Sequence, residues 1–339
     1  MAAERVSIKQ IAEKAGCSVA TVSRVINQNG RFSKETEERV QAAIREYGYV
    51  PDLAARNLRT NSSHIVAVIL PSIEIEVFAK TYRQIHERLQ KMGYMTVIID
   101  TYEDTTQESG GSSPFEILSM LRAMNICGIV VISLRSMYDS LKDIQVPAVY
   151  IDCPIQTDSL NCAVINYDLY QAGRQVAEKL VSNGCRQVAC VTNLHSGVDS
   201  PMYAGLADGL REHGLTLDCG GEYYSRSTSF HEIERLLSRV LEKGIPFDAL
   251  VLPKDMEAVA AAYVLTQRGF RIPEDVCLVG CDDVSIAEEA FMRITTVHLD
   301  TDGAARLAIS CLMDMMQGKG LAERSFDVPL WLVERDTTR

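Results

Sequence analysis

Two hydrophobic patterns divide the 339-residue chain. Up to about residue 50, apolar positions recur every three or four residues, which is the spacing of amphipathic helices. From Ile65 onward, short apolar runs such as "IVAVILP" and "GIVVISL" alternate with amphipathic stretches. Strands that are apolar on both faces, with helices between them, are typical of a parallel sheet covered on both sides. Two successive sets of such strands predict a doubly wound α/β core of two lobes behind a small helical segment.

The helical segment opens with two short helices between residues 7 and 27. Ser7 followed by Gln10 has the form of a capping box, and Ser18 stands where an N-cap starts the second helix. Gly16 supplies the tight turn between the two helices. A third helix, running from Ser33 to the glycine at position 48, closes a shared core. The pattern therefore predicts a helix-turn-helix headpiece, which places its second helix in the major groove of DNA.

The candidate DNA-contacting side chains lie at the start of this second helix and in the loop after it. Arg24 suits a guanine edge, and Val19 with Ala20 suits apolar contact such as a thymine methyl group. The full set in the headpiece is Ser18, Val19, Ala20, Thr21, Ser23, Arg24, Asn27 and Arg31.

The stretch "IKQIAEKAGCSVATVSRVIN" closely resembles the opening of the lac repressor (LacI/GalR) family of bacterial transcription regulators. Cys17 stands where that family usually has valine. The segment "YGYVPDLAARNL" is similar to the family's hinge, and the resemblance continues along nearly the whole core. It implies a core of the periplasmic-binding-protein type, with the chain crossing three times between the lobes, near Asp152, Asp283 and Gly318.

The resemblance also implies the domain boundaries. The headpiece is expected over residues 1–50, the hinge helix and linker over 51–62, and the core for effector binding and dimerisation over 63–339. Within the core, lobe 1 is expected at about 63–153 and 290–318, and lobe 2 at about 154–289 and 319–335.

In the family, two hinge helices pair in the minor groove of the operator, where a leucine opens the central base step. By resemblance this role falls to Leu58, with Ala55 one turn earlier and Arg59 beside it. An apolar wedge costs unstacking energy that the resulting bend recovers. The alternative is an ordinary linker helix that buries Leu58 against the core. Asp52 stands where many relatives have asparagine, and a carboxylate facing phosphates would weaken that contact.

Charge and cysteine usage fit a DNA-binding protein of the cytosol. The chain has a net charge of −11, yet residues 1–60 hold 10 Lys+Arg against 7 Asp+Glu. A basic head on an acidic body can bind DNA through the local field of one face. Ten irregularly spaced cysteines argue against a disulfide framework and against zinc. With no long apolar run and no signal core after Met1, we expect a cytoplasmic protein.

The sequence gives little support for an enzymatic function. Dinucleotide-binding, phosphate-loop and nucleophile-elbow motifs are absent. His195, Ser196 and Asp199 share one loop, whereas the members of a catalytic triad usually converge from different elements. We therefore predict no catalytic residues, no metal and no cofactor.

The resemblance places an effector site at strand ends in the cleft between the lobes, where ligands of such folds bind. Two residues depart from the family, since Met202 replaces an arginine and Lys254 replaces an asparagine. Either Lys254 meets the ligand, or Asp255 or Asp282 neutralises it. For the acids themselves two interpretations stay open, namely ligand contacts, or strand-end caps and salt bridges. The candidate set is Phe78, Asp152, Met202, Tyr224, Lys254, Asp255 and Asp282.

These features together predict a homodimeric, ligand-responsive transcriptional regulator, most simply a repressor that binds a pseudo-palindromic operator. The alternative is a solute-binding protein of the same core fold. The chain stops at "WLVERDTTR" without apolar heptads, so a dimer is expected rather than a tetramer. The expected effector is a sugar carrying an apolar or anionic group, or a small molecule of another class. Whether the ligand releases or recruits DNA is open at this point.

Overall fold

A computed structural model describes most of the chain. The described residues are 6–26, 30–49, 63–101, 114–134, 137, 141, 145–153, 155, 161–193, 200–225 and 229–339. They fall into two compact units, Met1–Ser63 and His64–Arg339. Among these residues, none of the helices has the length and apolar character needed to cross a membrane.

The first unit is the predicted three-helix headpiece. Its helices are α1 (Ile8–Lys14), α2 (Val19–Ile26) and α3 (Lys34–Tyr47). The capping box of Ser7 with Gln10 is present, and Gly16 adopts a φ of +61° in the turn. The side chains buried between the helices are Ile11, Ala12, Ala15, Val22, Val25, Val40 and Ala43. The helix-turn-helix prediction is confirmed, including the cap at Ser33 and the left-handed end at Gly48.

The second unit contains two six-stranded sheets, and the first of them is parallel throughout. Its strands run in the order β11, β5, β4, β3, β1, β2. Their bounds are β1 Ile65–Leu70, β2 Met95–Asp100, β3 Gly128–Ile132, β4 Ala148–Ile151, β5 Cys162–Tyr167 and β11 Ser325–Val328. The helices α4 (Glu76–Lys91), α5 (Pro114–Ala123) and α11 (Thr301–Met316) belong to this lobe, and α4 packs against α11.

The second sheet is parallel apart from one edge strand. Its order is β12, β10, β9, β8, β6, β7, and β12 pairs antiparallel with β10. The strands are β6 Val188–Cys190, β7 Leu217–Asp218, β8 Ala249–Val251, β9 Cys277–Asp282, β10 Thr295–His298 and β12 Trp331–Val333. The helices are α6 Leu169–Ser182, α7 Pro201–Glu212, α8 Phe230–Val240, α9 Asp255–Gln267 and α10 Ser285–Glu289, with short 3-10 turns at Gly221–Tyr223 and Leu241–Lys243.

Three strands lie in the lobe opposite to the one predicted. β5 and β11 belong to the first sheet, and β10 belongs to the second. The chain therefore crosses after β5, after β10 and between β11 and β12, rather than near Asp152, Asp283 and Gly318. The physical reason is that strands buried on both faces look alike in either sheet, so hydrophobic pattern alone does not assign them.

Glycines allow α6 and α7 to pack backbone against backbone. A Cβ atom at Gly173 would lie 2.0 Å from the Met202 carbonyl oxygen, and one at Gly205 would lie 2.0 Å from the Tyr170 carbonyl oxygen. Both are far inside any tolerated contact distance. This close crossing fixes the start of α7, and with it the position of Met202.

Candidate functional site

One face of α2 is exposed along its length. Val22 and Val25 are fully buried, whereas Ala20 and Arg24 are exposed on the opposite side of the helix and Val19, in the first turn, is exposed beside the buried face. Exposure of Val19 reaches 36% although the side chain is apolar. An isolated headpiece gains nothing by placing valine in water, so this face is suited to contact with another surface.

Hydrogen bonds and packing hold the first turn of this helix and its arginine. The Ser18 hydroxyl accepts from the Thr21 amide at 3.1 Å, which confirms the predicted cap. The stem of Arg24 lies beside Gly30, where a Cβ atom would be 3.3 Å from the arginine Cδ. Ser23 is partly buried, and Arg31 is exposed. The residues Asn27, Ala55, Leu58 and Arg59 lie outside the described residues.

At the carboxyl ends of the core strands, four side chains stand on left-handed backbone. Ser133 follows β3, Asp152 follows β4, Asp282 ends β9 and Asp283 comes next, with φ values of 53°, 55°, 102° and 53°. Non-glycine residues with positive φ are uncommon and cluster at functional sites. These residues therefore mark the strand ends as the candidate ligand cleft.

Asp152 is the acid that remains most available in this cleft. Its Oδ2 accepts a hydrogen bond from the Ser133 hydroxyl at 3.0 Å. Burial raises the pKa of Asp152 to about 6, although the Ser133 hydrogen bond and the Lys254 charge oppose this rise. The charges of Lys254 and Asp282 also act on this pKa. Contacts between the lobes, such as that of Lys80 Nζ with the Asp283 carbonyl oxygen at 3.4 Å, bring the strand ends of the two sheets to one cleft.

Lys254 is neutralised by Asp282. The Lys254 Nζ donates to Asp282 Oδ2 at 2.8 Å, and the lysine side chain remains 38% exposed while the aspartate is 8% exposed. Burial lowers the pKa of Lys254, but the attraction of Asp282 outweighs it and the pKa is raised. Of the two interpretations of Lys254, the structure therefore supports the ion pair with Asp282.

Asp255 lies beneath the cleft. Its Oδ1 accepts from the Thr296 hydroxyl at 2.5 Å, and its Oδ2 accepts from the Val284 amide at 2.9 Å. The side chain is fully buried. Burial raises the pKa of Asp255 to about 7. This carboxyl joins α9 to β10 and to the loop after β9, which is a structural position rather than an exposed ligand contact.

Met202 and the two aromatic candidates differ in exposure. Met202 is buried with 6% exposure in the main core cluster, because the close crossing of α6 and α7 holds the first turn of α7 against the lobe. Phe78 is partly buried against the same cluster. Tyr224 is 42% exposed and forms an isolated bridge with Thr192. The described contacts bring neither ring to the Asp152 cluster.

Two polar groups near the cleft were not predicted from the sequence. Tyr167, at the end of β5, has a buried hydroxyl that meets hydrogen-bond geometry with no described residue, although the Thr81 side chain is near enough to lower its pKa. Burial raises its pKa, and Asp152 and Asp282 add to the rise. Glu257 is fully buried in the first turn of α9, and burial raises its pKa to about 8. The polar residue at the end of the "AVINY" strand was the one available signal for Tyr167.

Hydrogen bonds from α4 join the first lobe to the loop after β9 and to the first residue of α10 in the second. Glu76 Oε1 accepts from the Ser285 amide at 2.9 Å and from its hydroxyl at 2.6 Å. Lys80 Nζ donates to the Asp283 carbonyl oxygen at 3.4 Å and pairs with Glu76 at 3.0 Å. Asp283 is also held by Arg335 at 2.6 Å. These contacts form a latch on one side of the cleft.

Among the residues that the structure describes, no group of three or more His, Cys, Asp or Glu side chains could hold a metal ion.

Comparison with known proteins assigns both units. Residues 7–52 match the family model for bacterial regulatory proteins of the lacI family, and residues 177–338 match the model for a periplasmic binding protein-like domain. The helix-turn-helix and the two-lobed core predicted from the sequence agree with these matches.

Relatives match the chain from end to end. The ribose operon repressor of Lactococcus lactis subsp. lactis is 27% identical over 339 residues, covering 98% of each chain. The HTH-type transcriptional regulator CelR of Thermobifida fusca is 28% identical and covers 93% of each. The solved structure of a lac repressor dimer bound to operator and the anti-inducer ONPF has the same fold, with a TM-score of 0.83, 24% identity and 99% coverage of both chains.

Proposed function

Because this chain belongs to the lacI family of bacterial regulatory proteins, we propose that it represses transcription as a cytoplasmic homodimer on a pseudo-palindromic operator. A small molecule in the core cleft controls the affinity for DNA. The protein is a regulator rather than an enzyme, as its relatives named as repressors are.

The observation that carries this proposal is the exposed face of α2. Val19, Ala20 and Arg24 are exposed at the start and along the outer face of the helix, and the cap at Ser18 holds the first turn in place. Helix-turn-helix proteins read base edges with these positions at the start of the second helix. A function in solute binding would explain the core lobes, but it would not explain the headpiece.

Exposed apolar side chains on the first lobe support a dimer. Met95 and Ile98 lie on β2, the edge strand of the first sheet, and are 52% and 36% exposed. Met92, at the end of α4, and Phe115, in α5, are 51% and 76% exposed. An exposed apolar edge strand is a liability in a monomer and is usually covered. A second copy of the chain is the covering partner that a two-fold operator requires.

The cleft supports control by a ligand. Its polar strand ends come from both sheets, and the latch between Glu76 and Ser285 crosses from one lobe to the other. A ligand that prefers one arrangement of the lobes shifts the population of that arrangement, and with it the fit of two headpieces to two half-sites.

The proposal is tested by selecting sites from a random pool of double-stranded DNA with the full-length chain. We expect enrichment of one sequence with two-fold symmetry, and an affinity that falls steeply as salt concentration rises. A solute-binding protein would enrich no sequence. Recovery of binders without any sequence preference would contradict the proposal.

A further inference from the structure

The cleft holds more acidic than basic groups. Asp282 is paired with Lys254, and Asp300 accepts a hydrogen bond at 2.8 Å from an amide in the first turn of α11. Asp152 differs, because among the described residues it forms no ion pair and its hydrogen bond comes from the neutral Ser133 hydroxyl. A partly buried carboxylate that forms no ion pair of its own, and whose charge Lys254 offsets only in part, favours a ligand that brings a positive charge.

A second polar group of the cleft lacks a well-formed hydrogen bond. The Tyr167 hydroxyl is buried, the residue is 9% exposed, and no described residue meets hydrogen-bond geometry with it, although the Thr81 side chain lies close enough to lower its pKa. Tyr167 ends β5, the neighbour of β4 in the sheet, and the Asp152 amide donates to the Ile165 carbonyl oxygen two residues earlier at 2.8 Å. The carboxyls of Asp152, Asp282 and Asp300 also raise the pKa of this hydroxyl. Buried hydroxyls are normally hydrogen-bonded, and this one is placed to bond a molecule in the cleft.

We propose that the ligand of this cleft is a hydroxylated cation, such as an amino sugar, whose ammonium group pairs with Asp152. This inference rests on the proposed function, because it gives a chemical class to the ligand that controls DNA binding.

The chemistry of the cleft matches such a ligand. An ammonium group has three donors, and both the Asp152 carboxylate and the Tyr167 hydroxyl oxygen can accept from it. Hydrogen bonds between charged partners are about twice as strong as neutral ones. Ring hydroxyls can donate to the remaining accepting capacity of Asp282. An anionic sugar would instead place its charge beside Asp152, while the ammonium of Lys254 is already held by Asp282. The anionic effector expected from the sequence is therefore disfavoured.

The test is calorimetric titration of the full-length chain near pH 7.5 with matched sugars. The pairs are glucosamine with glucose, galactosamine with galactose, and mannosamine with mannose, and the 6-phosphate of each neutral sugar completes the set. We expect at least one amine to bind about tenfold or more tightly than its neutral parent and its phosphate, which corresponds to about 1.4 kcal/mol. If each amine binds no more tightly than its parent, with no binding of either included, the inference is overturned.

Variants locate the effect. Asp152→Asn keeps the shape of the side chain. It should reduce the ratio of the affinity for an amino sugar to the affinity for its neutral parent to near one. Asp314→Asn makes the same charge change on the outer end of α11, where Asp314 pairs with Lys319, and should keep the ratio. If Asp152→Asn keeps the affinity ratio of the wild type, the pairing with Asp152 is overturned. The affinity ratio of the wild type decides the ligand class even if the variant does not fold.

The outcome is separable from the proposed function. A chain that selects a two-fold DNA site and shows no preference for amines loses only this inference. A chain that prefers amines but selects no DNA sequence would retain the ligand class and lose the role of the headpiece.

Discussion

Acidic side chains at the strand ends of this core serve different purposes. Asp255 uses both carboxyl oxygens on protein donors, and Asp282 holds Lys254. Asp152 stands on left-handed backbone after β4, forms no ion pair among the described residues and accepts one hydrogen bond, from Ser133. In our proposal its remaining accepting capacity serves a ligand, so the same residue type stabilises the lobe at one position and binds the effector at another.

Arg24 is expected to read a base. Arg24→Ala removes a bidentate donor whose contact with guanine is worth about 1–3 kcal/mol of discrimination. The variant should therefore bind the selected DNA site about tenfold or more weakly and tolerate substitution of one guanine in each half-site. Footprinting and competition measurements at fixed salt would show this. Full sequence preference in Arg24→Ala would contradict the assignment.

Glu257 should make the stability of the core depend on pH. Burial raises the pKa of Glu257 from 4.5 to about 8. Between these two pH values the folded chain keeps the proton on Glu257, whereas the unfolded chain has lost it. The contribution of Glu257 to the free energy of unfolding is fully present below pH 4.5. It is lost as the pH rises toward 8, at up to about 1.4 kcal/mol per pH unit. Glu257→Gln does not titrate. Urea unfolding from pH 6 to 8 should show a smaller loss of stability in the variant, and equal slopes would contradict the prediction.

The helix crossing of α6 and α7 is the tightest element contact of the second lobe. Gly205 allows it, because a Cβ atom there would lie 2.0 Å from a carbonyl oxygen. Gly205→Ala must separate the two helices, which typically costs about 1–3 kcal/mol or more. The control is Gly320→Ala, where a Cβ atom meets nothing within 4 Å. Thermal unfolding should be lowered by several degrees in the first variant only, and equal melting temperatures would show that the crossing adapts.

The latch between the lobes can be loosened at Glu76. Glu76→Gln weakens the hydrogen bonds from Ser285 and removes the ion pair with Lys80. We expect hydrogen exchange at the Ser285 amide to rise about tenfold, because charged hydrogen bonds contribute about 1.5–3 kcal/mol. Glu74→Gln makes the same charge change two residues away and should leave this exchange unaltered. No change in Glu76→Gln would mean that the latch does not restrain the lobes.

Element types were predictable here, but the assignment of strands to lobes was not. Caps such as Ser7 and Ser33 and the strands of the core follow from local pattern. The positions of β5, β10 and β11 depend on which sheet a doubly apolar strand joins, and that is decided by long-range pairing. For the same reason, the acids were found as strand-end residues, while the partners of Asp255 and the buried position of the Tyr167 hydroxyl depend on the packing of other elements.

At the scale of the whole molecule, the headpiece and the core differ in charge. Residues 1–60 have more Lys+Arg than Asp+Glu, whereas the whole chain has a net charge of −11. The acidic core repels DNA, so binding should depend on the headpiece and on a matched pair of half-sites. The exposed apolar edge at β2 provides a surface through which two copies can present two headpieces together.

The most direct measurement is the stoichiometry and affinity of the full-length chain on its selected DNA site and on a half-site of the same length. Two reading helices acting together should bind the full site with two chains per duplex, and about a hundredfold or more tightly than the half-site. Analytical ultracentrifugation with labelled DNA gives both quantities. One chain per duplex, with equal affinity for the full site and the half-site, would contradict a dimeric, sequence-specific regulator.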